Sequence, residues 1–155
     1  MSSDLILQIV IFCGVISVIY GFISSKQILS ASAGDNKMQE IASAIQIGAK
    51  AYLNRQYTTI AIVGVIVLIL ISFLFSIWVG LGYVIGATLS GAAGYVGMLI
   101  SVQANVRTAE ASRTSLDDGL RIAFKSGAVT GMLVAGLALL SISVYYFLLL
   151  KLNID

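Results

Sequence analysis

The sequence predicts an all-α membrane protein with four transmembrane helices that extend beyond the bilayer. Of its 155 residues, 59% are hydrophobic and only 10% are charged, whereas a soluble domain usually carries about 25% charged residues. Long uncharged runs alternate with two polar connections. Proline is absent, so no residue marks a kink or a break inside these helices.

The first helix is predicted over residues 5–24, an uncharged run long enough to cross the bilayer. At about 1.5 Å per residue it spans about 30 Å of hydrocarbon. The tripeptide Ala31-Ser32-Ala33 resembles a signal-peptide cleavage site, but the segment before the run carries Asp4 and no basic residue. A retained span is therefore favoured over a signal peptide, and residues 25–33 are interpreted as a polar connection.

The second helix is predicted over residues 36–77 and begins as an amphipathic segment. Asp35 or Asn36 can cap its start, with Gln39 forming a loose capping box with Asn36. Two stripes recur at helical spacing, an apolar one and a polar one. They consist of Met38, Ile41, Ile45, Gly48 and Tyr52, and of Glu40, Ser43, Gln46, Lys50 and Asn54. This pattern predicts a helix that runs along other protein before it enters the membrane.

Residues 56–106 contain no charged residue. A run of this length must contain two spans and a tight turn. We interpret Trp78, Gly80 and Gly82 as that turn, with Trp78 at the membrane interface. The third helix then covers residues 82–112.

The fourth helix is predicted over residues 116–150. Ser115 can cap its start, and Asp117 and Asp118 fall in its first turn, where acidic groups interact favourably with the helix dipole. Residues 1–155 are thus interpreted as a single membrane segment of four helices.

The basic residues predict the orientation of these helices. They occur in two connections, which hold Lys26, Lys37, Lys50 and Arg55 and then Arg107, Arg113, Arg121 and Lys125. The positive-inside rule places both connections in the cytoplasm and both chain ends outside it. Acidic residues are interleaved in each cluster, so a solvated face with salt bridges is favoured over a site for an anionic substrate or lipid headgroup.

The amino-acid composition argues against several classes of function. There is no histidine, and Cys13 is the only cysteine, which excludes an internal disulfide and a Cys/His metal site; Cys13 is expected to serve packing. A net charge of +2 does not suggest nucleic-acid binding. No charged residue lies inside a predicted span, so no ion path is visible. We assign no catalytic, cofactor-binding or metal residue in this chain.

Small residues form two stripes at four-residue spacing. These are Gly82, Gly86 and Ser90, and Gly127, Gly131 and Ala135. Such stripes let another helix approach closely, which predicts a tightly packed assembly with Gly86 facing another helix. The alternative is that glycine is simply common in membrane helices.

Three blocks between residues 34 and 140 follow one another in a recognisable order. The first comprises Gly34, Met38, Ile41-Ala42, Ile45, Gly48-Ala49, Ala51-Tyr52-Leu53 and Arg55-Gln56-Tyr57. The second comprises Ser90-Gly91, Ala93-Gly94-Tyr95, Gly97-Met98 and Ala104-Asn105-Val106-Arg107-Thr108-Ala109. The third comprises Ala123-Phe124, Gly127-Ala128-Val129, Gly131, Val134 and Gly136-Leu137. Together they resemble membrane-bound pyrophosphatases, the ion pumps driven by inorganic pyrophosphate. Gln103 and Ser112 depart from that pattern.

The resemblance implies a larger pump whose helices form an inner and an outer ring. Aspartate-rich motifs on later helices of that family hold pyrophosphate and Mg²⁺, and none of them is present in this sequence. The chain is therefore expected to be an N-terminal, outer-ring scaffold portion of a proton or sodium pump. Mg²⁺ is expected to serve the complete pump and not to bind this chain. The implied partners are the remaining helices, the lipid bilayer and, for the complete pump, a second copy.

The alternative hypothesis is a self-sufficient, non-enzymatic four-helix membrane protein that assembles through its glycine stripes. The implied location under the first hypothesis is the bacterial inner membrane. The pumped ion and any potassium dependence stay open.

Overall fold

A computed structural model describes residues 3–153 of the chain. Four helices follow one another: α1 (Ser3–Leu29), α2 (Asn36–Leu74), α3 (Ile77–Ser112) and α4 (Leu116–Leu152). Each is long and apolar enough to cross a membrane, and residues 3–153 contain no strand. The predicted all-α membrane fold is therefore confirmed.

The helices form a cluster of three with the fourth at its edge. α4 packs against both α1 and α3, α1 also touches α3, and α2 packs against α3. Within the described residues, α2 contacts neither α1 nor α4. The buried core consequently lies between α1, α3 and α4. It consists of Ile28, Ala93, Ile100, Ala104, Val129 and Leu133.

The seam between α1 and α4 is held by glycines at which the two backbones nearly touch. A Cβ atom on Gly136 would lie 2.9 Å from the Gly14 carbonyl oxygen, and one on Gly14 would lie 3.1 Å from the Gly136 carbonyl oxygen. A Cβ atom on Gly21 would lie 2.9 Å from Leu133. Such close approach increases van der Waals contact, which drives helix association in lipid, where the hydrophobic effect is absent.

The predicted glycine stripes are only partly used in the chain. A Cβ atom on Gly82 would meet the Tyr145 ring at 2.9 Å, but at Gly86, Gly127 and Gly131 it would find no atom within 4 Å. Within the described residues no helix lies close to Gly86, so the expectation that Gly86 faces another helix stays a prediction for the complete pump. The seam that the prediction missed lies on α1, where small residues also recur at spacings of three and four. They are Gly14, Ser17, Gly21 and Ser24.

The turn between α2 and α3 lies earlier than predicted. It falls at Phe75 and Ser76, not at Trp78–Gly82, so the predicted limits 36–77 and 82–112 are corrected. Ser76 sets the start of α3, because its hydroxyl accepts a hydrogen bond from the Val79 N–H at 3.3 Å. Gly80 lies inside α3 and is buried against Ser72 of α2. A glycine is needed at position 80 because α2 and α3 pack closely there, and not because the chain turns at this residue.

The first helix is longer than predicted. It continues to Leu29 instead of ending at Ser24, because Ile28 is only 1% exposed and belongs to the core. The Ser25 hydroxyl donates to the Gly21 carbonyl at 2.7 Å and so remains compatible with the helix. Cys13, expected to pack, is exposed on α1.

Two predicted helix caps are confirmed. The Asp35 carboxylate accepts from the Met38 N–H at 3.0 Å, and the Ser115 hydroxyl accepts from the Asp118 N–H at 3.1 Å. The capping box with Asn36 does not form. Gln39 instead donates to the Gly34 carbonyl at 2.8 Å, which ties the start of α2 to the preceding connection.

Replacement of Gly136 by leucine should destabilise the α1–α4 seam. The side chain would collide with the Gly14 carbonyl, and overpacking of this kind costs about 1–3 kcal/mol. The control is Gly131→Leu on the same helix, since no atom lies within 4 Å of its Cβ position. Both substitutions replace a glycine of α4 by leucine, so the change in helix propensity is the same in the two variants. Equal unfolding midpoints for the two variants in detergent would contradict the seam.

Candidate functional site at the polar end of the helices

The polar segments of all four helices meet at one end of the molecule. We call this end, formed by residues 26–55 and 103–125, the polar end. Three contacts bring its parts together: Arg107 with Leu29, Arg113 with Asp35, and Lys125 with Gln27. The two basic connections therefore lie side by side, as expected for helices that all project from the same membrane face.

Arg107 joins the end of α1 to α3. Its Nη2 atom donates to the Leu29 carbonyl oxygen at 3.0 Å, and its Nη1 atom donates to the Gln103 carbonyl at 2.7 Å. The last carbonyls of a helix have no partner within the helix and carry partial negative charge. The Arg107 guanidinium supplies the missing hydrogen-bond donor for the Leu29 carbonyl, and its positive charge interacts favourably with the partial negative charge at this helix end. Because Leu29 is 78 residues away in the sequence, no local pattern singled out this role.

Arg113 bridges the α1–α2 connection and the end of α3. Its Nη1 atom lies 3.2 Å from an Asp35 carboxylate oxygen and 3.2 Å from a Glu110 carboxylate oxygen. The hydrogen bond from the Met38 N–H, and to a smaller extent the Arg113 side chain, hold the pKa of Asp35 below its ordinary value. The side chains of Arg113 and Asp35 are exposed, so solvent screens this ion pair strongly.

The start of α4 carries a second set of polar contacts. The Ser115 hydroxyl donates to an Asp118 carboxylate oxygen at 2.8 Å, and Arg121 lies 3.2 Å from the same carboxylate. Arg113 and Arg121 are thus each paired with an acidic group, which supports the interpretation of the basic clusters as a solvated face. Between residues 3 and 153, no group of three or more His, Cys, Asp or Glu side chains is arranged to hold a metal ion.

The predicted apolar stripe of α2 is largely uncovered. α2 contacts α3 through a neighbouring face on which Ala42 and Leu53 are buried. Ile41 and Ile45 remain 55% and 53% exposed, and Tyr52 is 61% exposed. The polar end therefore combines helix caps and ion pairs with one apolar face that has no partner in the described residues.

Four long apolar helices with a capped, charged end define this molecule as an all-helical integral membrane protein. The family model for inorganic H⁺ pyrophosphatase matches residues 15–154. The chain therefore belongs to the inorganic H⁺ pyrophosphatase family, and the resemblance found in the sequence is confirmed.

Curated relatives of the chain are ion pumps. It is 50% identical over 137 residues to a K⁺-insensitive pyrophosphate-energized proton pump of Methanosarcina mazei, covering 87% of this chain and 20% of that protein. It is 38% identical over 153 residues to a putative K⁺-stimulated pyrophosphate-energized sodium pump of Bacteroides thetaiotaomicron, covering 95% and 21%. The chain spans about a fifth of the length of these relatives.

Replacement of Arg107 by alanine should loosen the end of α1. It removes two charge-assisted hydrogen bonds and leaves the Leu29 carbonyl without its partner, a loss of about 1–3 kcal/mol. The control is Arg121→Ala, whose side chain is 76% exposed; exposed ion pairs contribute at most about 1 kcal/mol. Hydrogen exchange at residues 26–29 should rise in the Arg107 variant alone. Unchanged exchange there would contradict the capping role.

Proposed function

We propose that this chain is an outer-ring scaffold portion of a pyrophosphate-energised pump. In the complete pump, hydrolysis of magnesium pyrophosphate would drive protons or sodium ions out of the cytoplasm. The observation that carries the proposal is the family match over residues 15–154, together with relatives named as proton and sodium pumps. The alternative, a self-sufficient four-helix protein, has no comparable support.

The scaffold role is supported by the way in which the described acidic groups are used. Magnesium ions in proteins prefer carboxylate oxygens, and hydrolysis of pyrophosphate needs ions that neutralise the substrate and activate water. Asp35 and Glu110 share the cation of Arg113, and Asp118 is bonded to Ser115 and Arg121. These carboxylates do not fit a magnesium site, and we derive no catalytic step through them. The metal and the substrate would bind in the portion of the pump beyond this chain.

The proposed orientation places the polar end in the cytoplasm and both chain ends outside. Eight of the nine basic residues lie at the polar end and only Lys151 lies at the far end of α4, which is the bias that the positive-inside rule requires. Asp155, which the rule places outside, lies beyond the described residues. The proposed location is the bacterial inner membrane, and the complete pump is proposed to be a homodimer.

The 155-residue chain reconstituted in lipid should hydrolyse no pyrophosphate and move no ion. Joined in frame to the remaining four fifths of the Methanosarcina mazei relative, it should yield a pump with Mg²⁺-dependent hydrolysis. The assay is phosphate release with and without the joined segments. As a control, Asp117→Asn in the joined protein should leave hydrolysis unchanged, because Asp117 is exposed in the first turn of α4. If the isolated chain hydrolyses pyrophosphate and Asp117→Asn abolishes that activity, the active site lies in these four helices.

A further inference from the structure

An apolar groove lies between α2 and α3 at the polar end. Its volume is about 240 Å³. The walls are mainly aliphatic and include Ile41, Ala42 and Ile45 of α2 and Val102, Val106 and Ala109 of α3. A groove of this chemistry fits hydrocarbon side chains, and its depth relative to the membrane decides which molecule can supply them.

The groove lies outside the hydrocarbon of the bilayer. Arg55 is the last charged residue of α2 before its uncharged half, and Tyr57 packs edge-to-face on Tyr95 of α3 with ring centroids 5.4 Å apart. Because tyrosines favour the membrane interface, we place the membrane boundary at the level of Arg55 and this tyrosine pair. At about 1.5 Å per residue, Ile45 lies about 15 Å beyond Arg55, and Val106 lies about 16 Å beyond Tyr95. The headgroup layer on each side is only about 5–8 Å thick, so lipid tails do not reach the groove.

The groove belongs to a continuous apolar face rather than to scattered residues. Tyr52 and Gly48 continue the face of Ile41 and Ile45 along α2, and no atom lies within 4 Å of the Cβ position of Gly48. The opposite face of α2 at the same level carries Ser43, Lys50 and Asn54. A contiguous apolar face in water marks a site where protein binds, and the glycine leaves room for another backbone.

We propose that this groove seats an aliphatic helix from the part of the pump that lies beyond this chain. The inference rests on the proposed function, and it adds a specific contact outside the membrane. This chain covers only 20–21% of the relatives, so about four fifths of each relative is available to fill the groove. An apolar occupant is required because charged side chains would lose their hydration against these walls without a partner.

Cysteine labelling tests the occupant directly. Ile45→Cys lies in the groove, and Ile47→Cys is the matched control, because Ile47 is 68% exposed on the polar face two residues away. Both are made in a Cys13→Ser background. In the isolated chain, a soluble maleimide should label both at similar rates. In the chain joined to the remaining segments of the Methanosarcina mazei relative, in nanodiscs, Ile45→Cys should react about tenfold more slowly, because thiol reactivity follows access to solvent.

Three results would reject the proposal. Equal labelling of both cysteines in the joined pump means that no helix fills the groove. Protection of Ile45→Cys in the isolated chain that grows with protein concentration identifies a second copy as the occupant, and protection that appears in nanodiscs but not in detergent identifies lipid. Phosphate release on the same samples separates this inference from the proposed function. An active pump with equal labelling rejects the groove alone, and an inactive one with protected Ile45→Cys rejects the pump alone.

Discussion

The thickness of the bilayer determines the arrangement of this molecule. α2, α3 and α4 have 39, 36 and 37 residues, which at about 1.5 Å per residue gives lengths of about 54–58 Å. The hydrocarbon core is only about 30 Å thick. Because the turn at Phe75–Ser76 is very short, α2 and α3 reach the same membrane face there, and all of their excess length projects from the opposite face. The polar end is the result.

The two halves of the molecule are consequently held together by different interactions. In the membrane-spanning half, close contact between the Gly14 and Gly136 backbones replaces the hydrophobic effect, which does not act between helices in lipid. At the polar end, Arg107 and the Asp35 and Ser115 caps satisfy backbone groups at the helix termini. An apolar face of α2 that includes Ile41, Ile45 and Tyr52 is exposed in that second half, where the hydrophobic effect acts because the surroundings are water.

The sequence predicted those features that depend on neighbouring residues. The four spans follow from uncharged runs, and the caps at Asp35 and Ser115 follow from side chains that bond backbone groups three residues away. Features that depend on distant residues were missed. Ile28 extends α1 because α3 and α4 bury it, Gly80 proved to be a contact rather than a turn, and the role of Arg107 depends on Leu29. The family was recognised from spaced blocks of residues, because their order and spacing can be read from the sequence alone.

We propose that the polar parts of α2, α3 and α4 share one membrane face and that this face is cytoplasmic. The direct test uses single cysteines at positions 4, 50, 75 and 113 in a Cys13→Ser background, treated with an impermeant thiol reagent. In intact cells Asp4→Cys and Phe75→Cys should be labelled, whereas Lys50→Cys and Arg113→Cys should react only after the membrane is opened. Labelling of position 50 or 113 from outside would contradict the orientation, and labelling of only one of the two would contradict the shared face.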